Sequence, residues 1–175
     1  SREVAGRART TYGAAVLTLG VHPLDLMRWY AGRIVSVKAF SNVNLALTGS
    51  GLDECVVAIY QFENGCVGRL ATTWTAYRVR RPNYGLRLHG SKGAICEDQL
   101  TLGPVGQPVS LPPTASPAPP LKAELDDVVA SILEGRPVRC PAEDAAWSAA
   151  WCIAAREAAV TGATITEADL LRRGA

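Results

Sequence analysis

Histidine and lysine are scarce in this chain of 175 residues, which has two histidines, His22 and His89, and only the lysines Lys38, Lys92 and Lys122. None of the five cysteines, Cys55, Cys66, Cys96, Cys140 and Cys152, forms a C-x-x-C pair or stands at metal-ligand spacing from a histidine, which argues against zinc or any other metal site. They read as small core hydrophobes, and their odd number and wide spacing suit a reducing cytoplasm better than a secreted scaffold. No serine sits in a Gly-x-Ser-x-Gly elbow, and no cysteine neighbours a histidine in sequence, so no nucleophilic triad is legible. The apolar runs are too short for a membrane span or signal peptide. A phosphate-cradling glycine loop is missing as well. Gly49-Ser50-Gly51 lacks the third glycine and leads through Leu52-Asp53-Glu54 into a strand rather than a helix.

With 18 basic and 16 acidic residues the chain is close to neutral, so neither nucleic acid nor an anionic membrane is indicated as a partner. Arg78, Arg80 and Arg81 cluster, but three charges at a strand end read as a solvated rim.

What the chain does have begins at residues 20–32, Gly-Val-His-Pro-Leu-Asp-Leu-Met-Arg-Trp-Tyr-Ala-Gly, which set His22 beside a carboxylate on a helix. A neutral imidazole exchanges a proton near neutral pH, and Asp25 lies within one helical turn of it. Thr18, four residues earlier, faces the same way. The plainer reading is that His22 and Asp25 cap or pin a buried helix. Val16, Leu17, Val21, Leu24 and Met27 recur at helical intervals over about 13–31, and Gly32 supplies a stop. Pro23 predicts a kink or two abutting helices, with His22 at the break.

The length fits one ordinary domain, here 13–175, after an irregular lead-in over 1–12. Beyond Gly32 the period becomes two. Strands are expected over 34–40, 55–62 and 66–74, the last two joined by the hairpin signal Glu63-Asn64-Gly65, and then over 84–88 and 94–97 around the turn His89-Gly90-Ser91-Lys92-Gly93. Residues 103–120 carry seven of the eleven prolines and read as an extended surface connection. Two helices follow. One carries the stripe Leu121, Leu125, Val128, Ile132 and Leu133; the other opens near Pro141 and aligns Trp147, Ala150, Trp151, Ala154 and Ala158. The fold class is therefore α+β: one mainly antiparallel open sheet with helices on one face. The other face, with Val57, Ile59, Leu70 and Trp74 as candidates, is expected to be an oligomer interface between copies of the chain.

Gly20 to Trp29, then Phe62-Glu63-Asn64-Gly65-Cys66-Val67-Gly68, then His89 to Ala94, and finally Ile132 to Pro137 and Arg156 to Gly162 resemble, in order and spacing, the C-terminal domain of the glucose-fructose oxidoreductase, inositol dehydrogenase and MocA family. The resemblance spans about 13–166. It implies a second domain that carries substrate contacts and the oligomer interface, paired in the whole enzyme with a Rossmann domain that binds NAD or NADP and supplies the catalytic lysine. That first domain is absent here, so the chain is expected to be a fragment that binds no cofactor alone. By the same resemblance His22 moves the hydroxyl proton of a small-molecule substrate, a sugar, polyol or cyclic diol. Many members carry aspartate where this chain has Thr18, and a hydroxyl orients or hydrogen-bonds but holds no charge. Asp25 is expected to orient the local helix, and Tyr77, Arg78 and Arg81 are expected to touch substrate. The alternative from another class is a ligand-binding or assembly module that keeps the fold without redox chemistry.

Overall fold

Pro23 shapes the first element. In the computed structural model, which describes residues 15–42, 55–73, 85–103, 106–112 and 119–174, a π-helical segment Val16–Gly20 runs without interruption into helix α1, Val21–Ala31. Proline offers no backbone donor, and its ring crowds the carbonyl one turn back. A widened turn just upstream accommodates both. The expected break is thus a π segment one turn before His22 rather than a kink at it. Gly32, at φ 86°, ends α1 with its N–H on the Arg28 carbonyl.

The described residues group into two compact units. In the first, 1–77 with 140–175, strands β1 (Ile34–Asn42), β2 (Cys55–Phe62), β3 (Val67–Thr73) and β8 (Ile165–Thr166) form an antiparallel sheet of order β3-β2-β1-β8. Glu63-Asn64-Gly65 makes the β2–β3 hairpin as its sequence predicts. The Asn64 side-chain oxygen accepts the Cys66 N–H at 3.0 Å, and Gly65 takes φ 83°. Alternation sends Val56, Ala58, Tyr60 and Phe62 of β2 inward, while Val57 and Ile59 point away.

The inner face is covered by the π segment, α1 and helix α3, Ala142–Thr161. Trp151 anchors α3 in the core, and Ala154, Ala155 and Ala158, all fully buried, let the helix lie close across β1. Trp147 and Ala150, expected on the same face, are half-buried against that core. Tyr60 reaches from β2 to donate to the Trp151 carbonyl at 3.4 Å. A short helix α4, Glu167–Arg172, follows β8 and opens on a capping box in which Asp169 accepts the Thr166 N–H at 2.8 Å. Arg33 joins it to the hairpin by pairing with both Glu167 and Glu63.

The second unit, 78–139, has its own antiparallel sheet: β4 (Arg87–Gly90), β5 (Gly93–Cys96), β6 (Gln99–Leu102) and β7 (Val109–Ser110). Leu88, Ile95, Leu100 and Val109 stand in register on one of its faces. Helix α2, Pro120–Glu134, belongs to this unit, and its apolar stripe is not covered within it. The end of α2 is tied down by Asp127, which accepts from the Arg136 guanidinium and from the Arg139 N–H, both at 2.9 Å.

The α+β class and its antiparallel open sheets agree with the sequence. The strands divide over two sheets, however, where one was expected. Leu70 is a further correction: its register with Ala58 turns it inward, to 4% exposure, and the outer face is lined instead by Phe40, Val57, Ile59 and Val67. The strand expected over 94–97 ends at Cys96, because Glu97 turns the chain at φ 57°. β7 lies within the stretch read as a surface connection. The lead-in 1–12 and Trp74 lie outside the described residues.

Candidate functional site

α1 presents His22 on its first turn with the side chain exposed. Among the described residues the imidazole makes no hydrogen bond. Thr18 sits one turn earlier in the π segment, half-buried, with its hydroxyl 3.5 Å from the Ala15 carbonyl as donor. π turns recur at functional sites because they redirect side chains away from the register of an ordinary helix.

The segment that carries both residues is held firmly. Gly20 is buried so tightly on β3 that a Cβ there would meet Val16 Cγ2 at 3.0 Å, Leu70 Cδ2 at 3.2 Å and Thr72 Cγ2 at 3.3 Å. The hydroxyl of Thr72, beneath it, is buried and has no hydrogen-bond partner among the described residues.

Asp25 turns toward α3. Its Oδ1 accepts from the hydroxyl of the buried Ser148 at 2.7 Å and lies 3.9 Å from the Arg28 guanidinium. Arg28 Nη1 in turn donates to Ser148 Oγ at 2.7 Å and to the Asp144 carbonyl at 2.6 Å, while Nη2 donates to Asp144 Oδ1 at 3.2 Å. Two carboxylates, one guanidinium and one hydroxyl thus clamp α1 to α3, and through that clamp they set the rotation of the helix that displays His22.

Of the residues singled out in the sequence, His22, Thr18 and Asp25 share this helical run, whereas Tyr77, Arg78 and Arg81 lie outside the described residues. His89 is exposed in the second unit, on β4 opposite Ala94, at a shallow hollow lined with Ser91, Lys92, Ile95 and Leu102. Sequence reasoning missed Ser148 and Asp144. They are more than a hundred residues from α1, and the only local hint was a serine within an otherwise alanine-rich apolar face.

No described strand of this chain passes through a glycine-rich turn into a helix, the arrangement that cradles a dinucleotide pyrophosphate. β8 enters α4 directly at Thr166–Glu167, and residues 111–119, between β7 and α2, contain no glycine. Nor is any described helix long and apolar enough to cross a membrane.

Residues 3–96, just over half of the chain, match a family model described as the GFO/IDH/MocA C-terminal domain. No curated protein matches the sequence. Among solved structures the chain is similar to a putative NADPH-dependent oxidoreductase from Desulfitobacterium hafniense, at TM-score 0.80 and 18% identity over 95% of this chain and 52% of that one. It is similar to aldose-aldose oxidoreductase from Caulobacter crescentus complexed with glycerol, at TM-score 0.75 and 20% identity over 88% of this chain and 48% of that one. Levoglucosan dehydrogenase in complex with NADH and levoglucosan aligns at TM-score 0.71 and 22% identity over 87% of this chain and 50% of that one. The chain spans about half the length of these neighbours.

Proposed function

We propose, because the chain belongs to the GFO/IDH/MocA C-terminal domain family, that it is the substrate-binding and oligomerisation domain of an NAD(P)-dependent oxidoreductase acting on a secondary alcohol of a sugar, polyol or cyclic diol. The observation that carries the reading is His22: an exposed imidazole on the first turn of α1, whose helix is fixed by the Asp25–Ser148–Arg28 clamp. The neighbours solved with glycerol and with levoglucosan bind polyhydroxylated molecules of this class.

Oxidising a secondary alcohol removes a hydride from carbon and a proton from oxygen. A nicotinamide dinucleotide, assigned by this reading to the remainder of the full-length protein, would supply the hydride acceptor, and the described residues of this chain are given no part in holding it. Their contribution is to the proton. His22, as the neutral imidazole, accepts the hydroxyl proton as the C–O bond becomes a carbonyl, and releases it to solvent from its exposed position. Thr18 hydrogen-bonds a neighbouring hydroxyl of the substrate or orients the ring, and Asp25 acts by positioning α1. Tyr77, Arg78 and Arg81 are the proposed substrate contacts, with arginine suited to a carboxylate or other anionic substituent. The outer sheet face, with Phe40 at 70% and Val67 at 65% exposure, supports a homo-oligomer whose copies meet there. The whole protein is read as cytoplasmic.

A second reading rests on Thr18, which cannot relay a proton as a carboxylate would: a ligand-binding or assembly module with no redox chemistry. Incubating the full-length gene product with NAD or NADP and a panel of sugars, inositols and cyclic diols separates the two. Reduced dinucleotide forms under the first reading. A folded protein that neither binds the dinucleotide nor turns over any substrate belongs to the second.

A further inference from the structure

We infer that Asn64 is a site of spontaneous deamidation gated by the fold: the native β2–β3 hairpin holds the reaction off, and a molecule whose hairpin has opened is marked irreversibly, because the reaction removes the hydrogen bond that ties the hairpin to the end of α1. The reaction needs no ligand, partner or cofactor, only water.

The chain has four asparagines, Asn42, Asn44, Asn64 and Asn83, and Asn64 alone precedes a glycine. That pairing sets the chemistry. When the Gly65 backbone nitrogen gives up its proton to water, it attacks Cγ of the Asn64 side chain. A C–N bond forms, the side-chain amide nitrogen takes up a proton and leaves as ammonia, and a five-membered imide closes. Water then adds to one of the two imide carbonyls and breaks its C–N bond, giving aspartate or the isomer whose backbone runs through the side chain. Nothing is oxidised or reduced. Glycine leaves its nitrogen open because it has no Cβ, whereas Val43, Leu45 and Tyr84, which follow the other three asparagines, each carry a bulky side chain.

Asn64 and Gly65 are both exposed, so burial gives them no protection and the hold comes from hydrogen bonds. The Gly65 N–H donates to the Phe62 carbonyl at 3.0 Å, and the attacking nitrogen keeps its proton more firmly for it. Asn64 Nδ2 donates to the Ala31 carbonyl and Oδ1 accepts the Cys66 N–H, each at 3.0 Å, so the side chain is pinned at both ends. The Cys66 bond by itself polarises the amide toward attack. Bringing Cγ onto the Gly65 nitrogen, however, turns the side chain and the Asn64–Gly65 peptide, which breaks the hold. The same bonds carry the consequence. Ala31 is the last residue of α1, and the hairpin meets the turn after it at two further points: the Glu63 N–H donates to the Arg33 carbonyl at 2.9 Å, and the Arg33 guanidinium pairs with the Glu63 carboxylate at 3.0 Å. Deamidation puts an anionic oxygen in place of the Nδ2 donor, facing the Ala31 carbonyl at the negative end of the helix dipole, where negative charge is unfavourable. The refolded product therefore holds the hairpin to α1 less well than the parent.

Peptide mapping by mass spectrometry tests this on the full-length protein held at mildly alkaline pH, native in one arm and unfolded in denaturant in the other, with aspartate and isoaspartate counted at each asparagine position. Asn64 is expected to deamidate faster than Asn42, Asn44 and Asn83 in the unfolded arm. In the native arm it is expected to slow by about tenfold or more, a factor that corresponds to ~1.4 kcal/mol of hairpin opening. The variant Asn64→Asp, which reproduces one product, is expected to unfold at a lower denaturant concentration than the parent. Equal rates for Asn64 in the two arms overturn the gate, and an unfolded rate no higher than that of the other asparagines overturns the site. Unchanged stability of Asn64→Asp overturns the consequence for α1. Both rates are read on the parent chain, so they decide the proposal even where the variant fails to fold.

Discussion

Ser148 of α3 donates its hydroxyl hydrogen to Asp25 Oδ1 at 2.7 Å while accepting from Arg28 Nη1 at the same distance, so one buried hydroxyl links both charged groups of α1. Ser148→Ala leaves the volume nearly filled but strips a partner from a carboxylate and a guanidinium. Loss of such a buried partner costs about 1–3 kcal/mol. Chemical denaturation should show that loss, with no change in the slope of the transition.

Gly20→Ala should destabilise the chain even though alanine is the better helix former. The propensity gain is ~1 kcal/mol, but the new methyl meets Val16, Leu70 and Thr72 side-chain carbons at 3.0–3.3 Å, and all three residues are buried. Overpacking of this kind costs about 1–3 kcal/mol. A lowered Tm checks it, and the same variant should lose turnover in the full-length protein because the π segment that carries Thr18 shifts.

Cys152 is fully buried, and burial pushes its thiol up to about 12. Native protein should therefore react with thiol reagents at the exposed Cys66 and Cys96, and at Cys152 only on unfolding. The linkage has a definite sign. The unfolded thiol loses its proton near pH 9 and the folded one near pH 12, so the folded state holds the extra proton in between, and stability falls as pH rises through that window by up to ~1.4 kcal/mol per unit. Tyr60, whose hydroxyl burial also raises, acts in the same direction. In urea titrations Cys152→Ala should fall less steeply above pH 9 than the parent.

Ile59→Lys and Phe40→Glu place charge on the outer sheet face without touching the core, since both residues point away from it. Sedimentation should show the full-length protein moving to smaller assemblies with its Tm preserved. Unchanged assemblies would put the oligomer contact elsewhere.

The parts of the fold governed by local chemistry were legible. The Asn64-Gly65 turn, the α2 stop at Gly135, the α3 stop at Gly162 and the alternation of β2 each follow from residues near in sequence. Contacts between distant segments were not. The inward turn of Leu70 depends on its register with Ala58, and the partition of the strands into two sheets depends on pairings that periodicity leaves open. α4 opens on Thr166-x-x-Asp169, a capping signal that marks no helix by itself when only six residues follow it. At the site, His22 and Asp25 stood out by type and spacing, while Ser148 and Asp144 became visible only once α3 lay against α1.

The decisive measurement is kcat/KM of the full-length protein and its His22→Ala variant on a substrate that the parent oxidises, with circular dichroism and sedimentation showing the fold and assembly unchanged. Loss of a positioned general base lowers the rate by about 10²–10⁴, and a fall of that size with dinucleotide binding retained is expected here. Equal turnover by parent and variant would remove His22 from the reaction and leave α1 as a packing element alone.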